Sequence, residues 1–139
     1  MKPYIVILLV LMNVSLHSQI PLTELECKES LESIDGMKVM LVAEKMPEYK
    51  GGLGELAKFI SKNIKYPEQS EFQGSVFTVF VVDTLGHVRN GCILKRFKKD
   101  TLTPIELEAL RLIKLLPDWT PGKHQGEKVP VRFVLPIKF

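Results

Sequence analysis

The stretch Val129-Pro-Val-Arg-Phe-Val-Leu-Pro-Ile-Lys-Phe139 decides the fold. Val129, Val131, Phe133, Leu135, Ile137 and Phe139 recur at period two, the spacing of a strand with one buried face. Pro130, Arg132, Val134, Pro136 and Lys138 take the other parity. Side-chain direction and backbone direction alternate together along a strand, so both missing proline N–H groups point to one side. A strand short of donors on one side belongs at a sheet edge. An edge is either protected or used to dock another chain.

Working back from that strand, Trp119-Thr-Pro-Gly122 reads as a loop leading into it. Thr103-Pro-Ile-Glu106 starts a helix: Thr103 caps, Pro104 fits the first helical position and Glu106 completes a capping box. Leu110, Ile113 and Leu112 or Leu116 supply its buried stripe, and Pro117 ends it. Ser75 to Val82 is a strand with Val76, Thr78, Phe80 and Val82 on one face and Phe77, Val79 and Val81 on the other. Asp83-Thr-Leu-Gly86 turns the chain into a second strand, Val88 to about Phe97, with a bulge expected at Asn90-Gly91. Gly51-Gly52 opens another helix with a stripe of Leu53, Leu56, Phe59, Ile60 and Ile64, stopped by Tyr66-Pro67. Before it, Lys38 to Ala43 reads as a short strand, and residues 20–36 as a polar lead, partly helical at best. The order strand, helix, strand, strand, helix, strand gives an α+β fold. It is a three- to four-stranded antiparallel sheet with two helices on one face.

The chain of 139 residues, 45% hydrophobic and 25% charged, is sized for one globular domain. Met1-Lys2, the apolar run from Tyr4 to Leu16 and the small residue Ser18 make residues 1–18 a secretory signal peptide. That apolar run is shorter than the roughly 20 residues a membrane span requires, so an uncleaved anchor is the lesser reading. Residues 19–45 then form a lead segment and 46–139 the domain, with the periplasm as the expected location. Export would carry Cys27 and Cys92 into an oxidising compartment. A disulfide is therefore possible, but sequence does not place the two within bonding distance of each other, and two separate buried thiols are preferred to a bridge.

The chemistry of catalysis is not legible. His87 and His124 lie in separate loops, and no ligand spacing for a metal or nucleophile with an activating base is found. Gly51-Gly-Leu-Gly54 lacks the lysine and spacing of a phosphate loop, so helix entry is the better reading. Glu106 and Glu108 read as solubilising charge on a helix surface. The net charge of +3 and the short basic run Lys95-Arg-Phe-Lys-Lys99 do not make a nucleic-acid surface. No enzyme, cofactor, metal or small-molecule substrate is expected. Trp119 is read as a loop anchor in preference to a binding hot spot.

The ordered pieces resemble the C-terminal domain of TonB-type energy transducers. The resemblance rests on Met46-Pro-Glu-Tyr-Lys-Gly-Gly52, Tyr66-Pro67, Gly74-Ser-Val-Phe-Thr-Val-Phe-Val-Val-Asp83 and Gly86-His-Val88. It continues through Glu106-Leu-Glu-Ala-Leu-Arg111, Leu116-Pro-Asp-Trp-Thr-Pro-Gly122, Gly126-Glu-Lys-Val129 and Leu135-Pro-Ile-Lys-Phe139. It covers about two thirds of the chain, from Glu44 onward, and the Pro-x-Trp-x-Pro-Gly and Pro-Ile-x-Phe elements are its most specific parts. It implies the fold read above. It also implies binding of a short N-terminal segment of an outer-membrane transporter, the TonB box, as an added strand on the final strand. The family's transducers carry an uncleaved inner-membrane helix and a long proline-rich spacer, which this leader does not resemble. The partner-binding residues so implied are Val131, Arg132, Phe133, Val134 and Leu135, with pairing centred on Arg132 and Val134. A second reading is an envelope interaction or assembly protein without energy transduction, using an apolar sheet face of Phe77, Val79, Val81 and Val134 for a homodimer or another partner. Residues 20–45 folded back over that face would close it.

Overall fold

The computed structural model describes residues 31–94 and 101–139. The signal segment, Cys27 and the basic run from Lys95 to Lys99 lie outside the described residues. The elements are β1 (Ser33–Ile34), β2 (Met37–Lys38), α1 (Gly52–Asn63), β3 (Ser75–Val82), β4 (Val88–Ile93), α2 (Pro104–Leu115), β5 (Gly122–His124), β6 (Glu127–Val129) and β7 (Val131–Lys138). The main sheet is antiparallel in the order β4-β3-β7, with β1-β2 and β5-β6 as two small hairpins. This is the α+β architecture expected from the alternation of patterns.

β3 sits in the centre because both its faces are apolar. Val76, Phe80 and Val82 face the helices and join Leu56 of α1, Ile105, Ala109, Leu112 and Ile113 of α2, and Leu135 and Ile137 of β7 in the main core. Val79 and Val81 face the other way and lie under Leu31, Ile34 and Val39, with Cys92 beside them. Thr78 is fully buried on the helix face, where its hydroxyl donates to the Leu135 carbonyl at 2.7 Å. β4 carries the expected bulge. Val79 pairs with Cys92 and Val81 with Arg89, so Asn90 and Gly91 together oppose Phe80, and Asn90 takes φ 56°.

The helix boundaries follow their caps. Thr103 and Glu106 form the reciprocal capping box at the start of α2, with Pro104 in its first turn. α1 starts after Gly51, a left-handed residue at φ 93° without a side-chain cap, where Gly51-Gly52 serves as helix entry. The α1 stripe is narrower than its sequence suggests: Leu56 is buried, whereas Leu53, in the first turn, is 73% exposed.

Several expectations need correction. Glu106 and Glu108 are buried, the first by its capping role and the second by an ion pair. Arg111 donates to both Glu108 oxygens at 2.7 and 2.6 Å, and the Lys65 N–H donates to Oε1 at 2.7 Å. Arg111 also donates to the Asn63 carbonyl at 2.7 Å, so one pair ties α2 to the end of α1. The anticipated strand from Lys38 to Ala43 is instead β2, one bridge at Met40, and a bend at Leu41-Val42. Residues 31–38 form a hairpin rather than helix, because Asp35 and Gly36 both take positive φ, as a two-residue hairpin turn demands. Gln125-Gly126 does the same between β5 and β6, so a hairpin and not a loop follows Trp119. His124 ends β5. The final strand is also shorter than its pattern: Val129 belongs to β6, Pro130 breaks the run and β7 begins at Val131. Cys92 is disulfide-bonded, against the expectation of separate thiols.

The Arg111 guanidinium holds the Glu108 carboxyl below the ordinary glutamate range, with burial opposing it and the Lys65 N–H adding to it. A carboxylate whose folded-state pKa is lowered stabilises fully well above its unfolded value, and that stabilisation is lost as pH falls through the folded value. Glu108→Gln is therefore expected to cost about 1–2 kcal/mol at neutral pH, discounting for the half-exposed Arg111. Urea melts of both proteins should converge as pH is lowered from 7 through the unfolded value near 4.5 and below it.

Candidate functional site

β7 has two edges and only one is spent on the sheet. Phe139 and Gly74 exchange backbone bonds of 2.8 and 3.3 Å, and the alternation then assigns Ile137, Leu135, Phe133 and Val131 to β3 as well. Those residues also point their side chains into the core. Arg132, Val134, Pro136 and Lys138 turn their main-chain groups outward. Phe77, which pairs with Pro136, sends its carbonyl the opposite way, to the Leu94 N–H at 2.8 Å. The missing Pro136 donor thus removes nothing from the β3–β7 ladder.

The first part of the outer edge is taken. Met40 runs parallel to β7, its N–H donating to the Pro130 carbonyl at 2.9 Å and its carbonyl accepting from the Arg132 N–H at 2.9 Å. The same segment continues through paired bonds between Lys45 and Lys123, at 3.0 and 2.9 Å, and between Glu48 and Thr120, at 3.0 and 2.8 Å. Beyond Arg132 no strand pairs with this side of β7 among the described residues. The outward row there is Val134 N–H and C=O, Pro136 C=O, and Lys138 N–H and C=O.

The residues singled out in sequence fall into two sets. Val131, Phe133 and Leu135 support the edge from the core side and present nothing to a partner strand. Val131 and Leu135 are buried, and Phe133 packs on Trp119 at 4.9 Å and on Phe80 at 5.7 Å between ring centroids. Arg132 and Val134 do face outward, but the Arg132 donor belongs to Met40, so the open edge begins at Val134. Pro136 and Lys138 extend it. Their outward parity was readable, but the Met40 contact that closes the other end was not.

On the sheet face opposite the helices, Val79 and Val81 are fully buried, so neither is available as an interface. The lead segment covers them, held also by the pairing of Arg89 with Asp35 in the β1–β2 turn. Phe77 at 45% and Val134 at 41% remain exposed beside Pro136. This leaves a narrow apolar strip running along the open edge.

The other sheet edge, β4, is interrupted by the bulge at Asn90, a feature that disfavours strand addition. Trp119 is a structural anchor: it is buried in edge-on contact with Tyr49 at 5.7 Å and Phe80 at 5.5 Å. The Trp119 backbone N–H donates to the Gly86 carbonyl at 2.8 Å, and a Cβ on Gly86 would lie 2.0 Å from the Trp119 carbonyl oxygen. Gly86 is thus fixed both by φ 86° and by this approach. His87 contacts Asp83 and Asp118 at 3.7 and 3.6 Å, and His124 accepts from the Glu44 N–H at 3.3 Å. No group of side chains able to hold a metal ion occurs among the described residues.

A small α+β domain with one sheet edge left open has the form of an interaction domain. Residues 62–139, more than half of the chain, match the family model described as the Gram-negative bacterial TonB protein C-terminal. The chain belongs to that family, whose domain is non-enzymatic, resides in the cell envelope and takes part in TonB-dependent transport. No match was found among curated proteins or among solved structures.

The two exposures predict opposite responses to the same substitution. Phe77→Asp is expected to change stability by less than about 1 kcal/mol, the range of surface changes. Val79→Asp places a carboxylate under the lead segment and is expected to cost about 4 kcal/mol or more. Thermal melts of the two variants against the parent chain distinguish a covered face from an open one.

Proposed function

We propose that the chain takes an extended N-terminal segment of an outer-membrane transporter, or of another envelope protein, as a strand added to β7 in the periplasm. The observation that carries this reading is the outward row from Val134 to Lys138. These main-chain groups point away from the sheet on a strand whose other side is fully paired. Main-chain bonds to such an edge supply affinity, and side chains at alternate positions supply selectivity. The side chains of Val131, Phe133, Leu135 and Ile137 keep the rail straight by filling the core behind it.

The family membership supports the transporter as partner class. A second reading draws on the strip of Phe77 and Val134, which an envelope partner, or a second copy of the chain, would cover by resting on the sheet face.

Val134→Pro tests the edge because it removes an outward donor and spares the bonds to β3. Arg132→Pro is less suited, since it breaks the Met40 contact instead. In a crosslinking and affinity-capture comparison, Val134→Pro is expected to reduce capture of transporters about tenfold or more while the melting temperature moves by a few degrees. Undiminished capture by a folded Val134→Pro chain, lost instead with Phe77→Asp, moves the contact to the sheet face.

A further inference from the structure

The strand-addition reading leaves open which strand the edge accepts, and this inference rests on that reading. In order, the outward groups are Arg132 C=O, Val134 N–H and C=O, Pro136 C=O alone, and Lys138 N–H and C=O. The side chains of Arg132, Val134, Pro136 and Lys138 share the face opposite the helices. Arg132 forms no ion pair among the described residues, and its Nε is buried there without a hydrogen-bond partner. Lys138 is exposed and likewise has no acidic partner among the described residues.

The most available wrong partner for an edge is a second copy of the same edge. A two-fold pair joined edge to edge sets its β7 strands antiparallel and makes each contact twice. Three registers keep outward residues opposite one another across the open stretch. Centring on Val134 brings Pro136 opposite Arg132, whose N–H is already given to Met40. Centring between Val134 and Pro136 leaves both Val134 carbonyls without donors, faces both Lys138 carbonyls with an Arg132 N–H already given to Met40, and sets each Arg132 opposite a Lys138. Centring on Pro136 brings two donorless carbonyls face to face. Unpaired carbonyls and directly opposed like charges both disfavour pairing.

A foreign strand meets two positions without a free donor: Arg132, whose N–H is given to Met40, and Pro136. A symmetric pair meets each of them twice. The foreign side chains can also complement the two cations. We propose that Pro136, with Arg132 and Lys138 on the same face, makes this edge reject a second copy of the chain and accept a foreign strand bearing carboxylates level with both cations. At strand rise the two carboxylates stand six residues apart, about 20 Å. An apolar residue between them falls opposite Val134. Discrimination thus comes as much from what is excluded as from what is matched.

The test compares the full chain with a Pro136→Thr, Lys138→Glu double variant by sedimentation. The substitutions restore the missing donor and place a carboxylate opposite Arg132 of the second copy in the middle register. Self-association at least tenfold tighter in the variant is expected, and equal behaviour of the two chains overturns the proposal. Should the double variant fail to fold, Lys138→Glu alone keeps the comparison open. Binding of host strands of about seven residues, read by fluorescence anisotropy, supplies the second arm. A strand with glutamates six apart should bind at least tenfold tighter than its glutamine version, with a lysine version weakest. That preference should vanish in Arg132→Gln, Lys138→Gln. Equal binding of all three strands overturns this inference alone, whereas no binding of any overturns strand addition with it.

Discussion

The pairing of β3 with β7 is the constraint from which the rest of the molecule follows. It runs in unbroken register from Ser75 opposite Lys138 to Val82 opposite Val131. A residue that bonds inward along β7 also points its side chain at the helices, so core filling and edge direction cannot be changed separately. A slip of one residue would turn Phe133, Leu135 and Ile137 onto the opposite face and Arg132 and Lys138 into the core. Such a slip would leave charges buried and the helices without a surface to pack on. The register is therefore held by the hydrophobic pattern, and the orientation of the outer edge comes with it.

The second dependence is aromatic. Trp119 joins Tyr49, Phe80 and Phe133, residues from the approach to α1, from β3 and from β7. Around it the Lys45–Tyr49 segment, the β3–β4 turn and the loop after α2 close on one another through backbone bonds. The turn itself is organised by Asp83, whose Oδ1 accepts from the Leu85 and His87 N–H groups, both at 2.9 Å. A bulky ring at the meeting point of three connections gives each of them a common reference.

Much of this is legible in the sequence. The two faces of β3, the capping box of α2, the bulge at Asn90 and the edge character given by Pro130 and Pro136 all follow from local pattern and stereochemistry. The misreadings have a common cause, which is contact between segments distant in sequence. Glu108 looks like surface charge until Arg111 and the end of α1 meet it. Val79 and Val81 look like an interface until Leu31, Ile34 and Val39 cover them. Arg132 looks available until Met40 accepts its N–H. Asp35-Gly36 is different: it carried a hairpin-turn signal in the sequence, and flanking strands too short to show alternation hid it, whereas Gln125-Gly126 offered only its glycine.

The parity of β7 has a consequence for how its amides meet solvent. Phe133, Leu135, Ile137 and Phe139 direct their N–H groups into the sheet, whereas Val134 and Lys138 direct theirs outward and Pro136 has none. Neighbouring positions on one strand should therefore differ sharply in hydrogen exchange, fast alternating with slow, although they share one backbone and one core. Arg132, closed by Met40, belongs with the slow set. The strand carries its own isotopic record of which side is occupied, and slowing at Val134 and Lys138 alone is the signature of a chain resting on the open side.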